Sequence, residues 1–308
     1  MTLKRQNGLE KFTHRPQGRC RCTDWGYFYT FWLISASAKA KQCHVQLHFA
    51  DHFGIIELMA TNKVSPLAMV VIVATAAVLT LNYFVVGTLN ATATNPIAAL
   101  FPTPITPAGY SASLLTIVYL LSIAFAVYQA LPSKAASFAG IRITYILACI
   151  LNCLWGVAWH RSMLLLSAFL IVGLLGTLIA MLGPLKNVET ATEALLGKGT
   201  FGLYAAWVLV MALVNVLALV RSQETSMSDG AFQTLGVICL LIAGASAVLV
   251  RWKLNNYFFP LAIAWIAAAV GVRQSGETAL VVASAVTMIT GLVTAATFIL
   301  TLPTRRYS

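Results

Sequence analysis

Residues 64–89 read VSPLAMVVIVATAAVLTLNYFVVGTL, an unbroken stretch without a charged side chain. As a helix it would cover about 39 Å at roughly 1.5 Å per residue, more than the ~30 Å of a bilayer's hydrocarbon core. Nothing in it marks a wet face. Asn82 and a few threonines are its only polar groups besides Ser65 and Tyr83. Seven further apolar blocks follow at 112–131, 143–159, 163–182, 201–220, 231–250, 257–272 and 279–302. Most are near the ~20 residues a span requires, and 257–272 is the shortest, fit for a short or re-entrant helix. Backbone polar groups in lipid must be satisfied within the segment, so helices are expected. The ~10-residue alternating strands of a membrane barrel are absent. The expected fold is all-α: a polytopic transmembrane helix bundle of about eight spans.

Composition agrees. Of the 308 residues, 59% are hydrophobic and 9% charged, against about 25% charged in soluble domains. The net charge of +11 does not indicate nucleic acid, because the cations sit between the apolar blocks. After residue 58, Lys63, Lys134, Arg142, Lys186, Lys198, Arg251, Lys253, Arg305 and Arg306 fall on one side of an eight-span topology. Arg161, Arg221 and Arg273 fall on the other. The positive-inside rule then predicts an integral, multi-pass protein with both termini cytoplasmic.

Residues 1–58 have a different character. They hold His44, His48 and His52 at helical spacing after Cys43, and a Cys20-x-Cys22 pair. That pair lacks the two-to-four-residue gap of structural zinc sites, so no metal site is expected. The segment reads as an N-terminal extension, disordered or surface-associated, or as a mis-assigned start with Met59 opening the chain. The loop at 90–111 carries Pro96, Pro102, Pro104 and Pro107 and no charge. It is expected to be irregular and to fold over the mouth of the bundle.

Chemistry within the spans is sparse. Every Lys, Arg, Asp and Glu after Lys63 lies in a loop or at a block end, which argues against a proton relay and removes the usual general acids and bases. His160, beside Arg161, reads as interfacial. No nucleophile has a neighbouring base, so no enzyme activity is expected. The polar residues inside blocks are Asn82, Asn152 and Asn215, with Tyr119, Tyr145 and Tyr204. Each asparagine is either packing glue between helices or a hydrogen-bonding site for a ligand. Asn152 and Trp155 are i, i+3 on one helix face, as are Tyr204 and Trp207 on another. Two such faces could line an aromatic cavity or simply pack.

These residues resemble the TspO/MBR family, the tryptophan-rich sensory proteins related to the peripheral benzodiazepine receptor. Thr106-Pro-Ala-Gly-Tyr110 leading to Val118-Tyr119-Leu120 is similar to that family's Pro-Pro-x-Trp entry into its second helix. Leu151-Asn152-x-x-Trp155 resembles its Leu-Asn-x-x-Trp motif. Tyr204-x-x-Trp207 with Asn215 resembles its Tyr-x-x-Trp…Leu-Asn pattern. The resemblance spans about 64–220 and implies a five-helix membrane domain, leaving 231–302 as three additional helices. It implies a pocket under the first loop that holds a tetrapyrrole, sterol or lipid, with Tyr110, Asn152, Trp155, Tyr204, Trp207 and Asn215 as ligand-binding residues. Ala108 stands where the family has its second proline, Tyr110 where it has the loop tryptophan, and Leu114 and Leu115 near a further one. The resemblance is to a longer, poorly characterised branch.

The functional expectation is a non-enzymatic binding or sensory protein with an apolar ligand; the alternative is a transporter or permease for a small apolar solute. No cofactor is implied beyond a porphyrin or haem as ligand. The expected partners are the bilayer and an apolar small molecule, with a homodimer left open and nucleic acid excluded.

Overall fold

The computed structural model describes residues 65–90, 100–134, 136–188, 190–223 and 227–297, with backbone alone for 85–90. The expectations for the extension at 1–58, for Met59 and for the last residues of the final block lie outside these residues. All the described residues belong to one compact unit. Among them the chain forms eight long helices and no strand. They are α1 Pro66–Asn90, α2 Ser113–Tyr128, α3 Arg142–His160, α4 Leu164–Leu182, α5 Thr200–Gln223, α6 Asp229–Leu254, α7 Phe258–Arg273 and α8 Thr278–Ala296. The protein is an all-α bundle, and seven of its helical segments are long and apolar enough to cross a membrane. The exception is α7, 16 residues long and about 24 Å at roughly 1.5 Å per residue.

Local chemistry sets the helix ends. Pro66 opens α1, where its missing N–H costs nothing. The turn between α3 and α4 is made by Ser162 in the left-handed region, φ 57°, with Met163 N–H returning to the Ala158 carbonyl at 2.9 Å. Ser228 caps α6 by accepting from Ala231 N–H at 3.3 Å. At the other end, Asn255 takes the left-handed conformation, φ 48°, and Asn is one of the few residues besides Gly that tolerate it. Asn256 Oδ1 then accepts from the N–H groups of Phe258 and Phe259, both at 3.0 Å, so α7 starts almost at once. A π-helical turn, Ala194–Gly199, leads into α5.

The first five helices close a ring: α1 packs on α2 and α3, α3 on α4, α4 on α5, and α5 on α2. Their shared core includes Phe125, Tyr145, Leu178 and Phe201. The last three form a second group held together by α7, which packs on α5, α6 and α8. This explains how a helix shorter than the membrane is tolerated. Most of α7 is buried in protein, and it exposes a stripe at Leu261, Trp265 and Val272. One end of the bundle gathers Lys134, Arg142, Lys186, Lys198, Arg251 and Lys253. It is called the basic end below. Among the described residues its one acid is Glu193, which pairs with Lys134 at 3.2 Å. That hydrogen bond holds the Lys134 ammonium above the ordinary lysine pKa.

Candidate functional site in the five-helix ring

A chain of hydrogen bonds crosses the ring near its middle. Asn82 Nδ2 on α1 donates to Asn152 Oδ1 on α3 at 3.0 Å. Asn152 Nδ2 donates in turn to the Tyr204 hydroxyl on α5 at 2.6 Å. A second link lies about two turns away, where the Tyr145 and Thr75 hydroxyls are 2.9 Å apart. Thr75 gives its own proton to the Val71 carbonyl at 2.8 Å, so Tyr145 is the donor in that pair. Helical serines and threonines return their protons to the preceding turn in this way, and Ser122 does the same toward Val118 at 2.8 Å.

Between these links lies a cleft of about 360 Å³, its open mouth included. The hydroxyl-bearing residues Thr75, Tyr119, Ser122, Tyr145 and Tyr204 line it, together with Cys149. Val78, Leu79, Val118 and Ala148 supply the apolar wall. Its lining comes from α1, α2, α3 and α5. The protons of Thr75, Ser122 and Tyr145 are committed within the protein. Tyr204 accepts from Asn152 but donates to no described protein atom, and Tyr119 likewise has no described acceptor. The cleft therefore presents two phenolic donors in apolar surroundings.

Toward the basic end it is closed by an edge-to-face aromatic cluster. Phe125 meets Phe138, Tyr145 and Phe201 at centroid distances of 5.3, 5.4 and 4.9 Å. Toward the far end, Trp155 and Trp159 stack at 6.5 Å and 25°. They pack with Phe101, Leu164 and Ala218.

The structure distributes the six sequence-derived site residues unevenly. Tyr204 lines the cleft, and Asn152 is its hydrogen-bond partner. Trp155 lies outside the lining, stacked on Trp159, with its indole Nε1 buried and without an acceptor. Trp207 is half-buried against the main core. Asn215 is buried elsewhere, accepting from Ser167 Oγ on α4 at 2.6 Å. Tyr110 is exposed and meets Trp265 of α7 edge-to-face at 5.6 Å. The cleft residues that the spacing argument passed over, Thr75, Ser122 and Cys149, share no motif. Tyr119 and Tyr145 did stand out as polar residues within apolar blocks.

The proline-rich loop is also placed differently from the expectation of a lid above the pocket. Its described part rests Phe101 on the Trp155–Trp159 end of the ring, crosses the end of α5 and docks on the last three helices. Pro104 sits against Gly236 of α6 so closely that a Cβ there would lie 2.6 Å from the proline ring. Ile105 is buried with Leu217, Phe232 and Val270. Ala108 N–H donates to the Ala269 carbonyl of α7 at 3.0 Å. No described loop residue lines the cleft.

No curated protein and no solved structure matches the chain. The family described as TSPO-like protein matches residues 68–299, a region that takes in all eight helices and not the five-helix ring alone. With that match over most of its length, and with apolar membrane-spanning helices, the chain belongs to the TSPO-like protein family as an integral, multi-pass membrane protein.

Proposed function

We propose that the protein is a non-enzymatic binding or sensory protein that holds an apolar small molecule in the cleft among α1, α2, α3 and α5. One observation carries this reading: two phenol donors, on Tyr119 and Tyr204, face an apolar cleft inside the bundle without an acceptor of their own. A polar group in such surroundings is costly unless paired. A ligand with a carbonyl or hydroxyl oxygen at one end and a hydrocarbon body would pair both donors. Most of the cleft's volume is its open mouth, and the enclosed part is close to the size of a single water, so the helices part to admit a ligand's hydrocarbon body. A slender acyl chain or a sterol needs less parting than a broad tetrapyrrole, so the reading favours a sterol or a single-chain lipid over porphyrin or haem. The aromatic cluster at one end and the tryptophan stack at the other support binding over passage of a solute through the ring. The basic end is assigned to the cytoplasm, which puts both termini there.

Titration of the purified protein with a sterol, a fatty acid, a porphyrin and haem, read by tryptophan fluorescence, tests the proposal. Saturable binding of the sterol or acyl ligand, weakened in Tyr119→Phe and Tyr204→Phe, is the expected result. Saturable binding that neither substitution changes would remove the cleft as the site. Labelling of single cysteines placed at Ser137 and Gln274 with an impermeant reagent tests orientation, and only Gln274→Cys should react from outside intact cells.

A further inference from the structure

The basic end contains two cations that the cleft does not use. Lys198, in the π-helical turn before α5, is 6% exposed, and Arg251, near the end of α6, is 7% exposed. Among the described residues neither has a carboxylate partner. Lys198 Nζ donates to the Lys186 carbonyl at 2.8 Å, which spends one of its three protons. Arg251 donates from Nε to Thr297 Oγ1 at 2.9 Å and from Nη1 to Asn255 Oδ1 at 2.8 Å. Its Nη2 has no described acceptor. Asn255 Nδ2 in turn reaches the Lys186 carbonyl at 3.5 Å. Lys198, Lys186, Asn255 and Arg251 thus form one continuous network where α4, α6 and α8 end. Asn256, which holds the Lys198 carbonyl through Nδ2 at 2.9 Å, fixes the π-helical turn in place.

A buried cation costs free energy unless an opposite charge compensates it. The converging helix C-termini offset part of that cost through their carbonyl dipoles. They leave two full positive charges and several unspent N–H groups. Lys186 and Lys253 add two exposed cations beside them, and Trp252, 74% exposed, is the aromatic anchor expected at a membrane interface.

We propose that this network is a binding site for the phosphate of an anionic phospholipid, taken from the leaflet at the basic end. A phosphate monoanion has enough acceptor oxygens to pair the free ammonium and guanidinium protons together. Basic pockets between spans at the membrane surface select anionic headgroups for this reason. The site is distinct from the cleft and stands on different residues.

The test uses the full chain in a neutral detergent, with phosphatidylglycerol, phosphatidylcholine or inorganic phosphate added at matched ionic strength. Lipid retention is read by native mass spectrometry and thermal stability by unfolding. The wild-type protein should retain phosphatidylglycerol at least fivefold over phosphatidylcholine, with a higher melting temperature. Lys198→Gln and Arg251→Gln should each lose most of that preference. Lys198→Arg, which keeps the charge, and Arg273→Gln, at an exposed position at the opposite end of the bundle, should retain it. Equal retention of the two lipids by the wild type overturns the proposal whether or not the variants fold. Folded Lys198→Gln and Arg251→Gln proteins that keep the full preference also overturn it. Full stabilisation by inorganic phosphate with no phosphatidylglycerol preference would reassign the site to a soluble anion and overturn the lipid assignment.

Discussion

Asn152 Nδ2 lies 2.6 Å from the Tyr204 hydroxyl, a hydrogen bond that joins α3 to α5 through the middle of the ring. Asn152 is 7% exposed, and its carbonyl oxygen is already taken by Asn82. It acts as a two-way link among three spans. Asn152→Ala should lower stability by about 1 kcal/mol, the scale of interhelical hydrogen bonds within membranes. In a double-mutant cycle with Tyr204→Phe the coupling should be roughly 0.6–1.7 kcal/mol. Reversible unfolding in detergent measures it, and additive losses would mean that the bond carries no stability.

Filling the cleft should separate binding from folding. Ala148 is buried and forms part of the cleft wall. Ala148→Leu should abolish binding of a sterol or acyl ligand. The cost in stability should be about 1–3 kcal/mol at most, as for modest overpacking. Fluorescence titration of the folded variant tests this, and unchanged affinity would place the ligand elsewhere.

Trp155 offers a counterintuitive case. Its Nε1–H is buried without an acceptor, and a buried unsatisfied donor costs about 1–3 kcal/mol. Trp155→Phe loses area against Trp159 but also removes the orphan donor, so stability should change by less than about 1 kcal/mol. A loss several times larger in thermal unfolding would show that the N–H is satisfied in the protein.

The last three helices depend on close approach at Gly291. A Cβ there would lie 2.7 Å from the Pro260 carbonyl and 3.0 Å from backbone and Cβ atoms of Ala264. The neighbours are largely backbone, so they cannot move aside. Gly291→Ala should part α8 from α7 at a cost of about 1–3 kcal/mol. Unfolding should register the loss, while ligand binding in the five-helix ring stays close to that of the wild type.

Gln129 is the hydrogen-bond hub of the basic end. It is fully buried and accepts from Arg142 Nε and Nη2, each at 2.7 Å, through its side chain and its own carbonyl. Its Nε2 donates to the Ala68 and Ala126 carbonyls at 3.1 and 3.0 Å. Gln129→Ala leaves the Arg142 guanidinium without one of its acceptors and should cost about 1.5–3 kcal/mol, the scale of hydrogen bonds to charged groups. In Gln129→Ala/Arg142→Met the second substitution should recover part of that loss, again read by unfolding.

Much of the molecule is legible in its sequence. Eight apolar blocks predicted eight helices, and their ends agree with the observed ones to within a few residues wherever both are described. Length and the absence of charge suffice for this, because lipid leaves a spanning backbone almost no choice but the helix. The TSPO-like resemblance was also readable, from Asn152, Trp155, Tyr204 and Trp207 at helical spacing. Spacing places residues on one face of one helix. It does not say which helix that face meets. So Asn152 and Tyr204 share a site, while Tyr110 meets Trp265, Asn215 meets Ser167 and Trp155 turns to Trp159. The short α7 was marked as unusual by its length alone. That it is wrapped in protein, and that the proline-rich loop docks beside it, depends on contacts between residues far apart in the chain. The burial of Lys198 and Arg251 is of the same kind. Both stand near helix ends in the sequence, as any interfacial cation does, and only the convergence of α4, α6 and α8 removes them from water.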